Sequence, residues 1–539
     1  MLKPRIARMP LLAGVAAVLA ASAAAGLAPM PAAAQEGKTL RATLHADVRA
    51  LDPIWSTQVI TSMHGNMIFD RLFATDEKLE PQPQMVEKWT VSEDKKTYVF
   101  TLREGLKFHD GTPVTSRDVI QSMKRWGVRD AGAKILFGYT DALTPRDDRT
   151  FEWKLKEPFG LVIETLAKNS SALPAVMREK DAMTDPFQPV QEMVGSGPFV
   201  FQRAEWVPGS KTVYTKFKDY VPRAEPASGQ AGGKVAKVDR VEFITLSDPQ
   251  TQQAALVAGE IDFLEAPQVD FLPILEATPG ITITAHPAAG AIGVIQLNHL
   301  HPPFDKVEAR QAMLHILHMP DYLNTFVPDR KLQKLCYSYF GCGTPMETDA
   351  GSDVYKSAKK DPKAAEALFK AAGYNGEPIT ILHSTDHWMI NPATLVLIQQ
   401  MRRAGLKLDV QAMDWGAASA RRAKKEPPAQ GGWNIFITGT TVLGSSNPIA
   451  NNWIGMGCEK ANFGWPCNAA FEDVRRSWGM AQTLAERKAI AVDLSKRAYE
   501  QVPFIPFGQW VSPMAYRSDR LSGVLSNPSM PPMWNIEKK

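Results

Sequence analysis

Between residues 361 and 441 the chain switches repeatedly between a helical and a strand pattern, and few folds accept that. Asp361-Pro362 supplies an N-cap and a first helical residue, "KAAEALFKAAG" follows, and Gly373 stops the helix. Next come a strand "PITILHS", a helix "PATLVLIQQMRRAG" ending at Gly405, a strand "LKLDVQAM", a helix near 416–425 and a strand "WNIFITG". Strands alternating with helices of this length predict a parallel sheet built from βαβ units. In such sheets ligands gather beyond the carboxyl ends of the strands. Those ends are His383 to Trp388, Asp414-Trp415 and Thr438 to Thr441, which suit hydrogen bonding or stacking better than acid–base chemistry. The expectation is a binding cleft.

The first half carries a different signal. "KKTYVFTLREGLKF" alternates Tyr98, Phe100 and Leu102 with polar neighbours, the period of a half-buried strand. Thr115 and Asp118 form a capping-box pair opening "SRDVIQSMKRW", and "HDGTP" between the two supplies the residues of a sharp turn. His109-Asp110 is thus expected to be a strand-to-helix corner. A catalytic dyad there would need a nucleophile and an orienting group, and this stretch offers neither.

Residues 1–34 read as a cleaved leader: Lys3, Arg5 and Arg8 precede an Ala/Leu/Val-rich run ending in Ala32-Ala33-Ala34. A membrane anchor is the competing reading, but the run is weakly hydrophobic and broken by Pro29 and Pro31. It contains no Cys, so lipid modification there is excluded. Removing the leader lowers the net charge from +4 to about +1, which implies no charge-driven partner. The roughly 505 remaining residues suggest two or three domains. The stretch 222–234, "PRAEPASGQAGGK", reads as a flexible surface loop. The cysteines form two close pairs, Cys336/Cys342 and Cys458/Cys467; an oxidising compartment favours two local disulfides over zinc, whose ligands are usually spaced more tightly.

In order along the chain, "LDPIW", "PQMVEKWTVSEDKKTYVFTLREGLKFHDGTPVTSRDV", "GSGPFVF", "PFDKVEARQAMLHILHM", "AAEALFKAAGY", "MRRAGLKLDVQAMDWGAASARR" and "VPFIPFGQW" resemble the landmarks of the bacterial extracellular solute-binding protein family 5, the dipeptide-, oligopeptide- and nickel-binding receptors of ATP-driven importers. The resemblance covers nearly all of 38–520. It implies an α/β, two-lobed periplasmic binding protein fold of the type II, large peptide-receptor variety. Lobe I would comprise 36–76, 194–289 and 511–539 with an inserted subdomain at 77–193, and lobe II would be 290–510. The solute would be enclosed by hinge closure between the lobes. The same resemblance implies ligand-lining positions: Thr57 and Gln58 after "LDP"; Asp386, His387 and Trp388 after the first lobe II strand; Thr438, Gly439, Thr440 and Thr441 at the end of "WNIFITGTT"; and Gln509 and Trp510 in "PFGQW". Dipeptide receptors share "GW.GD..DP", whose first Asp grips the ligand's amino terminus. Here the stretch reads "GTTVLGSSNP", without that Trp or Asp and with Asn447 before Pro448. Asn cannot supply a carboxylate's charge to an ammonium. Ordinary dipeptides are therefore disfavoured, with Asp386 the candidate replacement.

Rival readings are weaker. His299, His301, His315 and His318 invite a metal hypothesis, with His315 and His318 three apart on one expected helix, but an apolar stripe beside them argues for packing. Of Trp388, Trp415, Trp433, Trp453, Trp465 and Trp510, about half are expected in the core and the rest free to stack on a solute. "RRAKK", 421–425, reads as the solvated end of a helix. Glu260 and Asp262 imitate a glycosidase pair but alternate with apolar residues as strand surface positions would. No nucleophile elbow, metalloprotease motif or phosphate loop argues for an enzyme. The expectation is a monomeric periplasmic receptor with no cofactor, no metal and no nucleic-acid partner, passing a peptide-like solute to an inner-membrane permease and its ATPase subunits. A metal-chelate or opine/sugar-conjugate receptor of the same fold is the alternative.

Overall fold

The computed structural model describes residues 38–56, 58–169, 172–385, 387–528 and 530–539. The expected leader, Thr57 and Asp386 lie outside them. Two large sheets organise the chain. The seven-stranded one runs Ile281–Thr284, Met514–Arg517, Phe263–Leu264, Thr39–Thr43, Arg240–Ile244, Lys211–Lys216, Phe199–Phe201, and so draws on both ends of the chain. The six-stranded one runs Gln333–Lys334, Ile505–Trp510, Ala291–Leu297, Ile435–Thr441, Ile379–Ser384, Leu408–Met413. The chain passes from the first sheet to the second between Thr284 and Ala291 and returns between Trp510 and Met514.

The expected parallel sheet is only half of the second one. Leu408–Met413, Ile379–Ser384 and Ile435–Thr441 are parallel, but Ala291–Leu297 and Ile505–Trp510 pair antiparallel. The latter two are the strands by which the chain enters and leaves, so the crossings fix their directions. A four-stranded antiparallel sheet, Val86–Val91, Thr97–Leu102, Thr150–Leu155 and Thr140–Pro145, is inserted after the first strand of the seven-stranded sheet. Phe100, Phe151 and Trp153 from its strands, with Trp126 from the helix Ser116–Arg129, bury its core. Trp153 and Trp126 still satisfy their indole N–H groups, on Thr140 Oγ1 and the Ala172 carbonyl.

The corner at 108–116 forms as expected. Thr115 caps Ser116–Arg129, with Asp118 reaching back to the Thr115 backbone N–H at 2.7 Å. His109 Nε2 donates to the Gly197 carbonyl, its Nδ1 accepts from Gly195 N–H, and burial pushes its pKa down to about 4. Asp110 pairs with Arg178 at 2.8 Å. The side-chain polar atoms of His109 and Asp110 are thus committed to scaffolding, the second Asp110 oxygen accepting from Thr112. The "LDP" loop is tethered to the same helix: Asp52 accepts from the backbone N–H groups of Ile54, Trp55 and Val190 and pairs with Arg125 at 2.8 Å, both side chains fully buried.

Four expectations are corrected. Residues 229–234 of the supposed surface loop are buried, with Lys234 paired to Asp70 at 2.7 Å and lying over the Trp534 ring; small residues serve close backbone packing there, not mobility. His315 and His318 do not share a helix, because Val307–Ile316 ends first and His318 is the N-cap of Met319–Phe326, bonded to Asp321. Asp262 is buried between Arg41 N–H and Lys538 Nζ and is no surface position. In "RRAKK" the guanidinium of Arg422 lies over the rings of Phe436 and Phe463, so the run is only half solvated. Both expected disulfides are present, Cys336–Cys342 and Cys458–Cys467. No helix of the described residues is long and apolar enough to cross a membrane.

Candidate functional site

Strand register decides what faces the crossings. Thr441, Ala291, Trp510 and Gln333 lie side by side across the six-stranded sheet, forming a rim at the edge where the chain enters and leaves. The parallel strand Ile379–Ser384 ends on the same edge and leads into the helix Ile390–Arg403 through 385–389.

Aromatic side chains cover this rim. Trp510, 9% exposed, stands edge-on to Phe326 at 5.2 Å and to Trp388 at 6.1 Å. Trp388 is 61% exposed, the most open indole in a chain that buries Trp126, Trp153, Trp433 and Trp534 almost completely. His387 stacks on Trp388 at 6.3 Å and tilts over Trp415 at 5.2 Å, and Trp415 in turn stacks on Phe436. The His387 Nδ1 accepts from the N–H groups of Met389 and Ile390, which fixes the ring at the entry to the helix. Gly439 belongs to this layer: a Cβ there would lie 3.1 Å from Met389 Cε and 3.5 Å from the tip of the Trp510 ring. The indole would be at ordinary contact distance, so the glycine leaves room chiefly for the Met389 methyl. The result is a shelf with one exposed aromatic face, backed by the buried rings of Trp510 and Phe326.

Of the residues expected to line a cleft, His387, Trp388, Gly439 and Trp510 are brought together. Thr438 is buried and Thr440 half-buried on the neighbouring positions of the strand. Others are held in structural roles. Thr441 Oγ1 accepts from Gly444 N–H and caps a short helix. Asn447 Oδ1 accepts from the N–H groups of Ile449 and Ala450, so it closes its own turn. The Gln509 amide is fully buried and spans the Cys342 backbone, accepting from its N–H at 2.9 Å and donating to its C=O at 3.0 Å. Gln509 thus anchors the disulfide loop rather than facing a cleft. Gln58 is exposed at the N-cap of Val59–Ile68, on the side of the seven-stranded sheet.

Sequence reasoning missed two participants. Phe326 closes an amphipathic helix and gives no separate signal; Met389 adjoins Trp388, and its contact with Gly439 follows only from the fold. It also missed an open cavity of about 840 Å³ formed by the disulfide loop and the helix Leu484–Gln501, lined by residues including Tyr337, Thr344, Glu347, Lys356 and Lys488. Among the described residues no group of three or more His, Cys, Asp or Glu side chains is placed to hold a metal ion.

Comparison with known proteins agrees with this architecture. Residues 80–457 match the family described as bacterial extracellular solute-binding proteins, family 5 Middle. A probable peptide ABC transporter periplasmic-binding protein, y4tO of Sinorhizobium fredii (strain NBRC 101917 / NGR234), is 40% identical over 528 residues, covering 98% of each chain. The glutathione-binding protein GsiB of Escherichia coli (strain K12) is 26% identical over 423 residues, 76% of each. In fold, the structure of HbpA2 from Haemophilus parasuis superposes with a TM-score of 0.75 at 20% identity, covering 93% of this chain and 100% of that one. Crossings that join two sheets, a subdomain inserted in the first, and an aromatic rim where the second meets the crossings accord with that match: the chain belongs to the bacterial extracellular solute-binding proteins of family 5.

Proposed function

We propose that the chain is the periplasmic receptor of an ABC importer, capturing a peptide-like solute between two lobes and releasing it unchanged to an inner-membrane permease driven by its ATPase subunits. Export by a leader at 1–34, cleaved on the way, and action as a monomer belong to the same reading. Lobe I would be 36–76, 194–289 and 511–539 with 77–193 inserted, and lobe II 290–510; the membership of the two large sheets supports that division. The relatives support peptide-like cargo, since one is a probable peptide ABC transporter periplasmic-binding protein and another a glutathione-binding protein.

The observation that carries the proposal is the exposed indole of Trp388 on a rigid aromatic backing. An open indole packed on buried rings offers a solute a broad apolar face with a polar edge. The stretch 439–448 lacks the Asp that clamps the amine in dipeptide receptors, and Asn447, at the later Asp of that pattern, spends its side-chain oxygen on its own turn; Asp386 is the proposed replacement. Membership of a family of solute-binding proteins favours binding without chemistry.

A thermal-shift panel tests this: free dipeptides, tripeptides including glutathione, N-acylated peptides and opine-like conjugates, each recovered afterwards for mass analysis. One class should raise the melting temperature and return with unaltered mass. Turnover of the stabilising compound, or a panel with no stabiliser, contradicts the reading.

A further inference from the structure

The inserted subdomain and the six-stranded lobe meet a second time, away from the crossings. After the strand Thr150–Leu155 the chain passes Gly160 and enters the turn Val162–Leu166; from the other lobe comes the joint between the helices Ala469–Met480 and Leu484–Gln501. Gly160 N–H donates to the Gly479 carbonyl at 3.1 Å. Arg487, in the first turn of the second helix, is 9% exposed; its Nη1 donates to the carbonyls of Gly160 and Ala481 at 3.3 Å each, and its Nη2 pairs with the Glu164 carboxylate. The capping box of Thr483 and Glu486 fixes the helix start from which Arg487 projects. A Cβ on Gly160 would lie 2.1 Å from the Ala481 carbonyl oxygen, so the two backbones touch only because a glycine is there. Leu161 adds an apolar contact, its Cδ1 and the Ile449 side chain both bordering Gly479.

More than 300 residues separate the two segments, and the chain joins the lobes elsewhere, so connectivity does not force this contact. Its polar part is small: one backbone hydrogen bond and one guanidinium with three acceptors. Contacts of that size suit an equilibrium that must open again, unlike a core. Two of the three acceptors of Arg487, the Gly160 carbonyl and the Glu164 carboxylate, are there only while the surfaces meet, and separation returns both charges to water.

We propose that Gly160 and Glu164 with Gly479 and Arg487 form a latch that holds the receptor closed, so that Gly160 and Arg487 set affinity for every solute without touching any. The inference rests on the hinge-closing reading above. A latch remote from the solute changes the closed fraction alone, and the apparent dissociation constant scales inversely with that fraction. All solutes must then weaken by one common factor, leaving selectivity intact.

The test compares the full mature chain with Gly160→Ala and Arg487→Gln, after circular dichroism and melting temperature confirm folding. Should Gly160→Ala fail to fold, Arg487→Gln, which adds no bulk, carries the test alone. Without solute, both variants should show a larger radius of gyration by X-ray scattering, and faster amide hydrogen exchange at 159–161 and 479–481, than the unmutated chain. Compounds that stabilise the unmutated chain should lose affinity by a shared factor on the order of tenfold. Scattering and exchange identical to the unmutated chain, or losses that differ from solute to solute, would overturn the latch. If no compound binds the unmutated chain, the receptor reading fails, while the scattering and exchange comparison still decides whether the two surfaces part.

Discussion

Two strand-to-helix turns use the same vocabulary to opposite ends. At 108–116 a histidine and an aspartate follow a strand and precede a capped helix; at 385–389 another histidine does the same before Ile390–Arg403. In the first, His109 bonds Gly195 and Gly197 and so ties the inserted subdomain to the segment entering the seven-stranded sheet, while Asp110 bonds Arg178 within the subdomain. In the second, His387 spends Nδ1 on the helix start and presents its ring between Trp388 and Trp415, with Trp388 left open. Residue type does not separate scaffold from site. What separates them is whether the side chains are consumed by their surroundings or displayed.

The contrast breaks most sharply at the tether beneath the first turn. Asp52→Ala strands a buried Arg125 and three backbone donors, and should cost about 3–5 kcal/mol of stability in urea titrations. Solute binding should fall only in proportion to the unfolded fraction.

Acid tests the same scaffold. Burial pushes His64 down to about 3 and His109 down to about 4, against an ordinary value of 6.5. Both are therefore neutral when folded, and their stabilising effect is fully present above pH 6.5 and lost as pH falls toward those values. At pH 5 each should remove on the order of 2 kcal/mol, and His109→Gln should flatten the stability profile between pH 6.5 and 4. An unchanged profile would show that the corner histidine is not held neutral.

On the displayed side, Trp388→Ala should weaken solute binding about tenfold while moving the melting temperature of the empty protein by less than about 2 °C, since an open indole adds little to folding. A large loss of stability would make Trp388 scaffold after all. The smallest effect is expected at Asn447→Asp. An aspartate caps the same turn equally well, so dipeptide affinity should change by less than about threefold. A gain well beyond that would mean that the side chain reaches the solute.

Local grammar was the legible part of the fold. The capping box at Thr115 and the Asp361-Pro362 helix start depend on neighbours within a few residues, and both form as read. Strand direction was legible where helices connect the strands, since Ile379–Ser384, Leu408–Met413 and Ile435–Thr441 are parallel as expected, but not for Ala291–Leu297 and Ile505–Trp510, which take theirs from crossings that connect distant segments. Nor was the burial of 229–234, where a composition typical of loops serves packing around the Asp70–Lys234 pair. At the candidate site, strand-end reasoning and the family resemblance named His387, Trp388 and Trp510, and the fold brings their rings together. The Gln509 clamp on Cys342 and the Arg487 contact with Gly160 span more than 160 and 300 residues, and no periodicity carries such information.

Native mass spectrometry of the protein recovered from a periplasmic extract tests the central claim most directly. The account predicts one organic molecule held per chain, surviving chelator treatment, released on denaturation with its mass unchanged after prolonged incubation, and retained far less by Trp388→Ala. A bound compound that is converted over time, or an adduct held equally by the Trp388 variant, would contradict it.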